Sequence, residues 1–245
     1  MKRFAADLHI HTALSPCASE EMTPSAIVDT AVERGIAMIA ICDHNSTGNV
    51  GAVQQAAGSA ITVVAGMEIT SCEEAHVIGL FPNEAAASAA SHAVRETLPE
   101  GDAATSHRFG EQLLLDAHGR VVGKETKLLA AASGLGLSET VRLIKRHGGI
   151  AVAAHIDRPS FSVLSQLGVF PVDAGFDAVE VSAATALSDR SSQFASFNVP
   201  VLASSDAHFL AQVGMCHTMF EMFCPSFDEL VEALRGSGGR RVYHA

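Results

Sequence analysis

No two cysteines of this 245-residue sequence stand in a CxxC spacing, and the five present, Cys17, Cys42, Cys72, Cys216 and Cys224, are odd in number and widely scattered. No disulfide scaffold is needed, and a reduced compartment is the simplest reading. The opening MKRFAADLHI has basic residues but no apolar signal core, and no run approaches the roughly 18 apolar residues that span a bilayer. The expected location is therefore the cytoplasm, with no membrane partner. Positive charge is also scarce, with 16 Lys and Arg against 27 Asp and Glu for a formal charge of −11. That argues against a nucleic-acid backbone as the main partner, although a site rich in cations would still bind phosphate inside an acidic protein. Neither a GxSxG elbow nor a complete nucleotide-binding loop occurs, and the GxG in GLGLSET stands alone. No organic cofactor is expected.

Hydrophobic residues make up 48% of the chain and charged residues 18%, which excludes disorder and points to strands covered by helices. The length suits one large α/β domain or two small ones. After a first strand, Thr23 and Pro24 open a helix that Gly35 ends. IAMIAICDHNS, AITVVAGMEIT, HVIGLFP, IAVAAHID, FDAVEVS and VPVLASSDAH read as strands with helices between several of them, and HTMFEMFCP as a late strand. Ser138 is expected to cap SETVRLIKRHGG, and Ser226 with Glu229 to form a capping box for the last helix. Around DAHG the pattern predicts a hairpin. The expectation is a single domain over 1–245 with an insertion at 83–149, built on a mostly parallel sheet, open or closed into a barrel.

The stretch FAADLHIHTALSPC places Asp7, His9 and His11 at alternate positions, which on a regular strand share one face. The same habit recurs along the chain. Asp43 and His44, Glu68, His155, Glu180, and Asp206 with His208 all fall at the ends of predicted strands. In a parallel barrel those ends meet on the face where active sites are built. Imidazole with carboxylate is the ligand set of zinc, manganese or iron, and so many candidates exceed one tetrahedral site. Two or three divalent ions are expected. Paired ions suit phosphoryl or acyl hydrolysis, one holding hydroxide while another polarises the substrate oxygen.

In that order, DLHIHT, CDHN, GMEIT, AHID and SSDAH resemble the successive motifs of the PHP superfamily, named for polymerase and histidinol phosphatase domains. The resemblance runs from residue 7 to residue 208 and leaves out the insertion and the last forty or so residues. It implies a distorted (β/α)7 barrel of PHP type, up to three divalent ions and phosphoesterase activity. By position it implies His9, His11, Glu68 and Asp206 around one ion, with Glu68 bridging to a second held by His76 and His155. A third would lie between His44, His208 and a residue of the loop after the first motif. That loop reads ALSPCASEE, so Cys17 or Glu20 stands where such families carry His or Asp.

Asp7 and Asp43 are expected behind the ligands, fixing imidazole tautomers, and Glu180 either does the same or ends a solvated strand. Arg158, beside His155, is expected to contact phosphate oxygens, with an ion pair to Asp157 as the alternative. Asp206 or a neighbouring histidine such as His208 would protonate the leaving oxygen. His92, His107, His118, His147, His217 and His244 are assigned to surfaces and caps. The reading is a metal-dependent phosphoesterase, a phosphatase of a small phosphorylated metabolite or nucleotide. Its rivals are an exonuclease of nucleic-acid ends, an amidohydrolase-like metal hydrolase, and a noncatalytic metal-binding regulatory domain. No lysine ends a predicted strand, which disfavours the amidohydrolase pattern.

Overall fold

The computed structural model describes residues 1–101, 109–188 and 191–243. Its main sheet has nine strands in the order β11-β10-β1-β2-β3-β4-β7-β8-β9. These are β1 (Lys2–Ile10), β2 (Met38–Ile41), β3 (Thr62–Thr70), β4 (His76–Phe81), β7 (Ile150–Ala153), β8 (Ala178–Val181), β9 (Val201–Ala203), β10 (Thr218–Met222) and β11 (Arg241–Tyr243). Strands β5 (Leu113–Leu115) and β6 (Val121–Lys124) form the predicted hairpin as a separate two-stranded sheet. Seven strands, β1 to β4 and β7 to β9, curl into a distorted barrel. All neighbouring pairs among them are parallel except those made by β4. The ring nearly closes where Ile10 bridges Ala207 in parallel sense. Lower down, Thr218 Oγ1 accepts from Ala203 N–H and donates to Ala203 O, both at 2.8 Å, joining β9 to β10 through a side chain.

Both faces of these strands are buried, so alternate residues enter two different cores. Ile39, Ile41, Met67 and Ile69 pack with the helices α1 (Pro24–Glu33), α2 (Val50–Ala57), α3 (Glu84–Arg95) and α4 (Leu137–Arg146). Met38, Ala40, Val64, Ile78, Leu80 and Val152 fill the interior, joined by Leu230 and Ala233 of the last helix, Phe227–Leu234. Two short helices, α5 (Val163–Leu167) and α6 (Ala183–Leu187), follow β7 and β8, which makes the last helix α7. Within 83–149, Ala87, Ala90, Val94, Val141 and Ile144 belong to the same core as the barrel strands, whereas the hairpin leans on the loop after β1.

Two capping expectations are corrected. Thr23 begins α1 without a side-chain hydrogen bond, Pro24 supplying the fixed φ instead. Helix α4 starts after Gly136, not Ser138, because Glu139 Oε2 reaches back to Gly136 N–H at 3.0 Å. At α7 half of the expected box forms. Ser226 Oγ accepts from Glu229 N–H at 3.3 Å, while the Glu229 carboxylate is drawn to Arg240.

Candidate metal centre at the mouth of the barrel

The first strand is not regular. Ala6 and Asp7 pair with Met38 and Ile39, yet Ile10 pairs with Ile41, so one extra residue of β1 is accommodated between them. Such a bulge flips the alternation. His9 and His11 turn inward, and Asp7 is left out of phase with them. This corrects the expectation that all three share a face. Asp7 accepts from Ser205 N–H, Ser205 Oγ and Gly214 N–H at 3.0, 2.6 and 2.8 Å, tying down the loop that carries Asp206. Burial pushes its carboxyl up to about 6 against those hydrogen bonds.

Glu68, at the end of β3, is the hub. Its Oε1 lies 2.8 Å from His76 Nδ1, 3.0 Å from His155 Nε2 and 3.5 Å from His9 Nε2, and its Oε2 lies 3.0 Å from His44 Nδ1 and 3.5 Å from His11 Nε2. Burial opposes its ionisation, but His76, His9 and His44 outweigh it and hold the carboxyl well below the usual range. Asp206 Oδ1 sits 3.4 Å from His9 Nε2 and 3.1 Å from His11 Nε2, and Asp206 too is held low despite burial, by His9 and then His11.

The proton positions follow from the partners. His9 Nδ1 meets the Glu180 carboxylate at 2.9 Å, so in the neutral imidazole Nδ1 carries the hydrogen and Nε2 presents the lone pair, while against its burial Glu180, Asp206 and Glu68 raise this imidazole well above its usual value. Ser15 Oγ gives its one proton to Asp43 Oδ1 at 2.6 Å, so it accepts from His11 Nδ1 at 2.9 Å, and His11 Nε2 is bare as well. His208 Nδ1 faces the Asp206 carbonyl at 2.9 Å, and the same imidazole also hydrogen-bonds Cys17. The bare nitrogens of His9 and His11 are 3.2 Å apart, with two carboxylates around them. His155 Nδ1 is buried without a hydrogen-bond partner among the described residues. In their neutral forms His9 and His11 turn lone pairs toward each other and toward two carboxylates, a donor set that suits a cation. Three sets of donor atoms, each within 4.8 Å of one another, could hold an ion: His9, His11 and Asp206; His44, Glu68 and His76; His11, His44 and His208.

The loop after β1 brings Cys17, and not Glu20, beside His44 and His208 at the cavity. Burial disfavours the Cys17 thiolate, but hydrogen bonds from His208 and His44 win and lower it to about 6. Asp43 holds that loop by accepting from Thr12 N–H and Thr12 Oγ1 at 2.7 Å each, so it acts on His11 through Ser15 and not directly. Arg158 does not pair with Asp157, whose oxygens are taken by Ser182 and Thr185. Its Nη2 lies 2.6 Å from Asp206 Oδ2. His92, His118, His147 and His217 do not enter the cluster, and His107 and His244 lie outside the described residues.

Residues not singled out from sequence complete the frame. Asn45, at φ 51, accepts from Thr70 N–H and donates to the Leu129 and Ala131 carbonyls, fixing the turn that bears His44. His155, Asp206 and Phe161 also have positive φ, so four of the six such non-glycine residues among those described stand at the mouth. Strain of this kind gathers at binding and catalytic sites.

The family described as PHP-associated matches residues 189–237. That match covers a fifth of the chain, and with the ordered motifs and the barrel it supports the resemblance to PHP proteins. Uncharacterized protein MJ1587 of Methanocaldococcus jannaschii is 29% identical over 187 residues, covering 72% of this chain and 80% of that protein. In fold the chain resembles the lesion-specific endonuclease PfuEndoQ of Pyrococcus furiosus, with a TM-score of 0.72 at 20% identity over 98% of this chain. It spans only 58% of that endonuclease's length. It also resembles a candidate metal-dependent phosphoesterase from Bifidobacterium adolescentis, with a TM-score of 0.58 at 20% identity over 83% of this chain and 87% of that one. An amidohydrolase from Chromobacterium violaceum gives a TM-score of 0.63 at 22% identity over 93% and 96% of the two chains.

Proposed function

We propose that this protein is a metal-dependent phosphoesterase acting on a small phosphorylated molecule, with 1–245 as one catalytic unit and 83–149 inserted in it. The observation that carries the reading is Glu68 surrounded by five imidazoles, with Asp206 and Arg158 beside them at one cavity. Divalent ions bound by His9, His11, His44, Glu68, His76, His155, Asp206 and His208, with Cys17 at the third set, would polarise phosphoryl oxygens and make a water acidic enough to act as nucleophile.

The chain's own residues have distinct tasks. Arg158, tethered to Asp206 Oδ2, keeps further N–H groups for phosphate oxygens and neutralises charge that develops on them. Asp206 is ionised, so it holds charge and not a proton. Protonation of the departing ester oxygen then falls to water as the P–O bond breaks. Glu180 and Ser15 keep His9 and His11 in the tautomers that leave their Nε2 atoms bare.

A second reading, cleavage of a nucleic-acid strand, draws on the fold shared with the endonuclease. Against it stand the formal charge of −11 and a cavity around which Arg158 is the sole Lys or Arg among the described residues. The test is turnover by manganese-loaded protein on small phosphomonoesters and on lesion-bearing duplex DNA. Hydrolysis of the former with lesser activity on the latter supports the phosphatase, and the reverse order overturns it.

A further inference from the structure

Phe161 follows β7 and adopts φ 58, a region that a bulky side chain rarely enters. Its position is nevertheless fixed. The Phe161 carbonyl accepts from His76 N–H at 2.8 Å, and its ring lies on the His76 imidazole, centroids 4.9 Å apart and planes 22° from parallel. Despite this anchoring the ring is 44% exposed, and Phe109, 40% exposed, lines the same cavity of about 330 Å³. Phe161 thus presents exposed apolar surface in a mouth whose other side chains are mainly imidazole, carboxylate and guanidinium. Burial of such rings is favourable, and a planar partner adds stacking. One guanidinium at the cavity matches one phosphate group and not a chain of them.

We propose that Phe161 forms a stacking subsite for a planar, uncharged ring on the ester side of the substrate. The preferred substrate is then a ring-bearing phosphomonoester in place of an open-chain or sugar phosphate. The proposal rests on the phosphoesterase reading for its phosphate end only.

The test uses the full chain loaded with manganese and titrated with phenylphosphonate and methylphosphonate, alongside kcat/KM for phenyl phosphate and glycerol phosphate. Wild type, Phe161→Leu and Phe161→Tyr are compared, with bound metal measured in each. Wild type is expected to bind phenylphosphonate about tenfold more tightly than methylphosphonate, Phe161→Leu to lose most of that ratio and Phe161→Tyr to keep it. Equal affinities in wild type overturn the subsite and leave the phosphoesterase standing. A Phe161→Leu variant that weakens both phosphonates alike and sheds metal also overturns it, since the ring would then merely support His76. Preferential phenylphosphonate binding without hydrolysis of either ester overturns the phosphoesterase and retains the subsite. Failure of both phosphonates to bind overturns both.

Discussion

At the end of the barrel closed by α7, Glu229 meets Arg240 at 2.7 Å and Glu221 meets Arg241 at 2.8 Å, each carboxylate with its own guanidinium. At the mouth, Glu68 and Asp206 face mainly imidazoles, several of them with bare nitrogens, on a backbone with four left-handed non-glycine residues. The first region is electrostatically complete and would be the same whatever surrounds it. The second gathers donor atoms that could hold cations, with Arg158 on Asp206 as its one guanidinium among the described residues. Burying carboxylates is tolerable only when they are paired, so divalent ions at the mouth would add to the pairing that Arg158 and the imidazoles supply.

The contrast breaks most severely at Glu68. Replacing it as Glu68→Gln keeps the shape and removes the charge shared by five imidazoles, and metal content and hydrolysis should both collapse. Glu180→Gln disturbs only the orientation and basicity of His9, so metal affinity or activity should fall by about 10- to 100-fold, read by competition with a chelator. A loss at Glu180 as great as at Glu68 would contradict the assignment of Glu68 as hub.

Cys17 sharpens the comparison with less effect on activity. With its thiol near 6, iodoacetamide should react with metal-free protein at a rate that rises as pH passes through 6 and is flat above about 7, the thiolate being the nucleophile. Manganese or zinc should slow the reaction if Cys17 belongs to the third set. Buried Cys216, pushed up to about 12, serves as the unreactive control in the same peptide map. The smallest effect is expected at the complete end. Glu229 is lowered from 4.5 to about 2 by Arg240, so its pairing stabilises the fold above its ordinary value and is lost as pH falls from about 4.5 toward 2. The melting-temperature difference between wild type and Glu229→Gln should shrink across that window and be modest throughout, because the pair is at the surface.

Much of the barrel was legible because two-sided burial writes strands as apolar runs, and the residues at their ends are polar for one shared reason. The site was legible as composition, His, Glu and Asp in order, and less so as geometry. Asp7 misled because alternation assumes a regular strand, and the bulge between Asp7 and Ile10 leaves no mark in residue type. Ser15 and Asn45 act through hydrogen bonds to residues far along the chain, Asp43 for one and Thr70, Leu129 and Ala131 for the other, which nothing local in their spelling announces. Arg158 was placed correctly beside the site, but its partner, Asp206, is 48 positions away and no neighbouring residue points to it. Nothing in the sequence marks Phe161, because its φ and its ring contact with His76 are set by the fold.

The central claim, that the mouth is built around divalent cations, is tested most directly by metal analysis of the chain purified without chelator, beside Glu68→Gln prepared identically. Two or three ions per wild-type chain and a sharp loss in the variant are predicted. Wild-type protein that binds no divalent ion, even after dialysis against excess zinc, manganese or iron, would contradict it.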